Sequence, residues 1–153
     1  MAWAKLSSVD GDGTSTTLST GTITANTFIE FNIYTDEFVG GKMRFNSDSG
    51  TNYARRYSAN GSTDVTNVSN DKLGFLYDLA PALIHGYVIN ISAEEKLIIA
   101  FTSEQYATGA SQAPNRMEVV LKWANTSAQV TDYTLTKTGN HSSDTNLTIF
   151  GTD

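Results

Sequence analysis

The sequence predicts an all-β fold: a single antiparallel β-sandwich over residues 1–153, jelly-roll-like, with eight to ten short strands. Three observations carry this. Apolar and polar residues alternate at period two in one run after another. Clusters of Gly, Asn, Asp and Ser separate the runs at the spacings of sandwiches and barrels. Ser, Thr and Asn together make up about a third of the 153 residues, and only 17% are charged. Thr, aromatic and β-branched side chains suit a pleated, half-buried surface, whereas Gly, Asn, Asp and Ser suit turns.

The elements follow in chain order. Trp3 to Val9 starts as a strand and breaks into the loop DGDGTST. Thr22–Ala25 has the length of a short strand. FIEFNIYTD places Ile29, Phe31 and Ile33 on one face and Phe28, Glu30, Asn32 and Tyr34 on the other. Glu37-Phe38-Val39-Gly40-Gly41 is a turn. KMRFN points Met43 and Phe45 inward, with Lys42 and Arg44 outward. NSDSGT connects it to the strand NYARRYS, taken as its neighbour in the sheet, and SANGSTD is the next turn.

Residues 65–82 are ambiguous in pattern. They hold a possible strand at Leu73–Tyr77 and a loop ending at Pro81, and a short helix has little support. GYVINIS sets Tyr87, Ile89 and Ile91 against Val88 and Asn90. AEEK is a turn. KLIIAFTSEQY is a central strand, and its LIIAF run has the length of one buried strand. Residues 109–115 form a loop. MEVVLKW points Met117, Val119, Leu121 and Trp123 inward. QVTDYTLTKT does the same with Tyr133 and Leu135, and NLTIFG with Leu147 and Ile149, across the turn NHSSDT. No stretch sustains a helical period, and no repeat of propeller or solenoid length occurs.

Charge and composition narrow the function classes. The net charge of -6 and ten scattered Lys and Arg leave no basic footprint for nucleic acid or an anionic membrane. No cysteine is present, so there is no disulfide framework, thiolate metal site or Cys nucleophile. The opening MAWAKLSSVDGDG lacks an apolar h-region, and no segment reaches about 18 apolar residues. The expectation is synthesis in the cytoplasm without an export signal of its own.

Motifs that could carry chemistry are incomplete. Asp10 and Asp12 in DGDG lack the later ligands of a calcium loop. Asn46, Asp48 and Asn52 fit Asx-turns better than a metal site. His85 and His141 have no ligand-spaced partner. No G-x-S-x-G elbow appears, and Glu94-Glu95 or Glu118 with Asp132 fit exposed positions better than a glycosidase pair. Six sequons, at Asn60, Asn67, Asn90, Asn125, Asn140 and Asn146, are coincidental in a Ser/Thr-rich chain. The expectation is no catalysis, no metal and no cofactor. Tyr53, Arg55 and Tyr57 share one strand face and Arg56 faces away. Tyr and Arg are favoured at interface hot spots, so these four are the expected partner interface.

The order of motifs resembles a known family. It comprises Trp3 with Leu6-Ser7-Ser8, then MRFNSDSGTNY followed by YSANGSTD, Trp123 after an alternating strand, VTDYTLT, and a closing LTIFG. This is similar to small virion structural proteins of tailed phages, across nearly the whole chain and most specifically in the central segment. Val130 and Tyr133 stand where the family usually has Ile. The resemblance implies a jelly-roll-like sandwich carried on a virion, as a capsid decoration (cement) protein or a tail-fibre or baseplate appendage. It brings no catalytic residues. Its partners would be the major capsid protein or other virion subunits, and decoration proteins favour oligomers, trimers among them. The alternative is a carbohydrate- or receptor-binding sandwich of a tail appendage, with Tyr34, Tyr53, Tyr57 or Trp123 as a stacking platform. Trp123 continues the inward set of its strand, which counts against that alternative.

Overall fold

Period-two alternation divides each long strand between a core and an outer face, and eleven strands result among the described residues. A computed structural model describes residues 2–36, 41–74 and 81–153. The strands are β1 (Ala4–Asp10), β2 (Thr17–Ser19), β3 (Phe28–Thr35), β4 (Lys42–Phe45), β5 (Tyr53–Ala59), β6 (Val65–Asn70), β7 (Ala82–Ile89), β8 (Lys96–Glu104), β9 (Asn115–Trp123), β10 (Tyr133–Thr136) and β11 (Asn146–Thr152). All pairings among the described residues are antiparallel.

The expected sandwich is present, but its layers are unequal. One sheet has eight strands in the order β1-β11-β3-β7-β8-β9-β5-β6, and the other has three, β2-β10-β4. The side chains between them form one core. Ile29, Phe31 and Ile33 of β3, Met43 and Phe45 of β4, Tyr133 and Leu135 of β10, and Leu147 and Ile149 of β11 are fully buried, as the alternation predicts. Met117, Val119, Leu121 and Trp123 of β9 line the same core.

Several elements differ from expectation. KMRFN and NYARRYS are not paired: β4 lies in the small sheet beside β10, and β5 lies in the large sheet between β9 and β6. The NSDSGT segment therefore crosses between layers. It starts with a tight turn in which Asn46 and Ser47 have φ of 50° and 55°, closed by the Asp48 N–H on the Phe45 carbonyl at 2.9 Å. Positive φ at both central positions is the I′ geometry, which Asn tolerates well. The Asn46 side chain then ties this turn to the chain before β10. Its Oδ1 accepts from the N–H of Thr131 at 2.8 Å and its Nδ2 donates to the Gln129 carbonyl at 2.8 Å. The ANG turn is as expected. Asn60 and Gly61 have φ of 51° and 74°, and they connect β5 to β6.

No strand forms at Thr22–Ala25. The short strand is at Thr17–Ser19 instead, where Leu18 is buried and pairs with Leu135. Residues 65–70 form the edge strand β6. Of the strand expected at Leu73–Tyr77, Leu73 makes a single bridge to Met43, and residues 75–77 lie outside the described residues. Most of the turn expected at Glu37 to Gly41 lies outside them too.

The LIIAF run is the most informative difference. A continuous apolar run of this length normally marks a strand buried on both faces. β8 is central, between β7 and β9, but only Ile98 and Ala100 of the run face the core. Leu97, Ile99 and Phe101 are 55%, 53% and 50% exposed.

Candidate functional site

Pairing register decides which side of β5 faces outward. Tyr53 lies opposite Trp123, Arg55 opposite Leu121 and Tyr57 opposite Val119. Those three β9 residues point into the core, so their partners point inward as well. The expected grouping of Tyr53, Arg55 and Tyr57 on one face is present, but that face is the inner one. Tyr53 is 1% exposed and stacks on Trp123 at 6.4 Å between ring centroids. Its hydroxyl accepts from the Phe45 N–H at 3.1 Å. Burial pushes this phenol well above its ordinary range. Tyr53 is thus a core residue and offers no surface to a partner. Arg55 donates through Nε to Asn67 at 2.9 Å and through Nη1 to the Gly74 carbonyl. Its guanidinium also lies 4.6 Å from the Tyr57 ring centroid. Of the four residues, Arg56 alone points outward, beside Val120.

The acidic and His residues are engaged in turns and pairs. Asp12 Oδ1 accepts from the N–H groups of Thr14 and Ser15 at 2.8 and 2.7 Å, an Asx-turn. Asp48 accepts from the Gly50 N–H at 2.8 Å, Asn52 Nδ2 at 2.9 Å and Trp123 Nε1 at 2.7 Å. Burial acts to raise the Asp48 carboxyl, and these hydrogen bonds outweigh it and hold the group below its usual range. Among the described residues, no cluster of three His, Asp or Glu side chains could hold a metal ion. Glu95 pairs with Lys122 at 2.7 Å, and Glu118 pairs with Arg116. Asp132 accepts from Ser19 and Thr134 beside the small sheet. The sequon residue Asn90 is fully buried, where its amide bridges the Asn26 and Val130 carbonyls.

The two histidines occupy opposite environments. His85 sits on the outer face, with Nδ1 2.7 Å from Asn32 Oδ1. His141 is fully buried and donates from Nε2 to the Leu135 carbonyl at 3.3 Å. Desolvation holds its pKa below 6.5, and Lys137 adds to the effect. The unfolded chain therefore binds a proton that the native chain refuses, and stability falls as pH drops below 6.5. A second loss follows below 3.8, where the depressed carboxyls of Asp36, Asp48 and Asp71 protonate. Urea midpoints measured from pH 7.5 to 3 should show both steps. In His141→Gln the upper step should vanish, and its persistence would mean that another group titrates there.

The surface that sequence reasoning did not pick out is the outer face of the large sheet. Cross-strand register sets Phe28, Ile89 and Leu97 side by side over β3, β7 and β8. Tyr87, Ile99 and Val120 form the next row, over β7, β8 and β9. Trp3 leans onto this face, edge-on to Tyr87 at 6.3 Å. These side chains line an apolar groove of about 620 Å³. The signal was present in the sequence: LIIAF and Tyr87–Ile89 carry apolar residues at both phases of the alternation. What it lacked was any indication of which phase would remain uncovered.

Comparison with known proteins finds no matching family, no matching curated sequence and no matching solved structure.

Proposed function

We propose that this chain is a non-enzymatic virion structural protein of a tailed bacteriophage, acting as a capsid decoration protein that docks on the shell as an oligomer. The motif order supports the virion assignment. The observation that carries the mechanism is the outer face of the large sheet, which presents large apolar side chains on a chain otherwise rich in Ser, Thr and Asn. Contiguous exposed apolar surface marks an interaction site. Removing it from water at subunit junctions would supply the binding energy, and many copies on one particle make modest contacts effective. The -6 charge suits a protein that must not aggregate before assembly. The glycan-binding alternative loses two of its four platform rings, because Tyr53 and Trp123 are each 1% exposed. Mass spectrometry of purified particles of the source virus tests the reading. The chain should be present in many copies per particle, and its absence would end the proposal.

A further inference from the structure

We propose that the outer face of the large sheet docks on the same face of a second copy, giving a two-fold dimer of four stacked layers. This deepens the assembly reading above, on which it rests for the use of an oligomer.

Leu97, Ile99, Phe101 and Val120 are each at least half exposed, on the central strands of the sheet. Edge positions tolerate scattered apolar residues, but a contiguous patch mid-sheet is the pattern of a covered face.

Following the register, the outward strand positions of the large sheet carry Lys5, Arg56, Arg116 and Lys122 against Asp10, Glu30 and Glu118. With Glu95, which pairs with Lys122 at the rim of this face, the charges balance, on a chain of net charge -6. The acidity of the chain therefore lies elsewhere. Two copies meeting through most other surfaces would bring like charges together. Meeting through this one they do not, and Arg116–Glu118 and Lys122–Glu95 already pair within each chain. A near-neutral apolar face has no preference for a strongly charged partner, which favours its own copy.

The apolar side chains span four adjacent strands, β3, β7, β8 and β9, which at about 4.8 Å spacing and about eight residues of roughly 3.3 Å rise make a footprint of roughly 500 Å². A pair would bury about 1,000 Å² through these strands alone, the lower bound for a specific interface, and the flanking β11 and β5 would add to it. A patch meeting itself closes with two-fold symmetry, and two sheets stack face to face about 10 Å apart.

Sedimentation equilibrium of the full chain tests this. The expected mass is about 33 kDa, twice the 16.6 kDa of one chain. Ile99→Glu places two carboxylates in the interface and should weaken the dimer by at least about 100-fold. Its circular dichroism should match the parent, because Ile99 already faces solvent in the single chain. Thr17→Glu, on the exposed surface of β2, should leave the dimer unchanged. A monomeric or trimeric parent, a dimeric Ile99→Glu, or equal dissociation by Thr17→Glu would each overturn the proposal. A dimer that behaves as expected but is missing from particles would overturn the virion reading and leave this one standing.

Discussion

Trp123→Ala is expected to lower stability by about 3–5 kcal/mol, the range for truncating a large buried aromatic. Trp123 is 1% exposed and has aromatic neighbours on two sides. It stacks on Tyr53 with an interplanar angle of 16°, and it meets Phe45 edge-on at 5.8 Å. Phe45 belongs to the small sheet and Trp123 to the large one, so the indole joins the two layers. The cavity left by alanine would open between the sheets, where the backbone cannot collapse to fill it.

The polar edge of the indole adds a second effect. Its Nε1 donates to Asp48 Oδ2 at 2.7 Å, a charge-assisted bond to the connection that crosses between layers. Trp123→Phe keeps most of the apolar area and removes this bond. It should cost less than alanine, roughly 1–3 kcal/mol. Asp48→Ala removes the acceptor for Trp123, Asn52 and Gly50 together. In a double-mutant cycle, Trp123→Phe with Asp48→Ala should cost clearly less than the sum of the single changes, because they share one bond. Additive costs would mean that the bond contributes nothing. A loss below about 1 kcal/mol for Trp123→Ala would show that the layers are not joined through this ring.

Gly86→Val is the second large effect, with an expected loss of roughly 1–3 kcal/mol or more from overpacking. Gly86 sits mid-strand in β7, opposite Phe31 on one side and Ala100 on the other. A Cβ there would lie 2.3 Å from Phe31 Cζ, 2.6 Å from Cε1 and 3.0 Å from the Ala100 Cβ. Phe31 cannot swing away, because it is fully buried and packs on Tyr133 at 6.1 Å. A glycine that weakens a strand by itself is thus needed for close approach. Gly86→Ala should be harmful in the same direction and milder. Pairing it with Phe31→Leu should recover part of the loss, since the smaller side chain vacates the contested space. If Phe31→Leu gives no recovery, the clash is not the cause.

The sequence made the inner face of the fold legible, and the outer face much less so. Ile29, Phe31, Ile33, Met43, Phe45 and Trp123 could all be placed inward, because each sits in an alternating run with one plainly polar phase. The central strand β8 could not be oriented this way. Both phases of LIIAF are apolar, so periodicity alone could not say which side chains face the core. The hot-spot reading of Tyr53, grouped with Arg55 and Tyr57, failed for a related reason, since that ring is buried. Alternation grouped them correctly, but only pairing with the inward residues of β9 showed which side they occupy.

Local chemistry alone determined a good deal. The strand runs, the ANG turn, the Asx-turn in DGDG and the inward apolar sets follow from period two and from the few residues that accept positive φ. These are near-neighbour effects, written in adjacent positions. The assignment of β4 and β5 to different sheets, the Trp123–Asp48 bond across 75 positions and the apolar outer face were decided only by tertiary structure. The same short-range pattern is compatible with several pairings. Which sheet a strand joins, and which of its faces is left for a partner, depends on contacts between residues far apart in the chain.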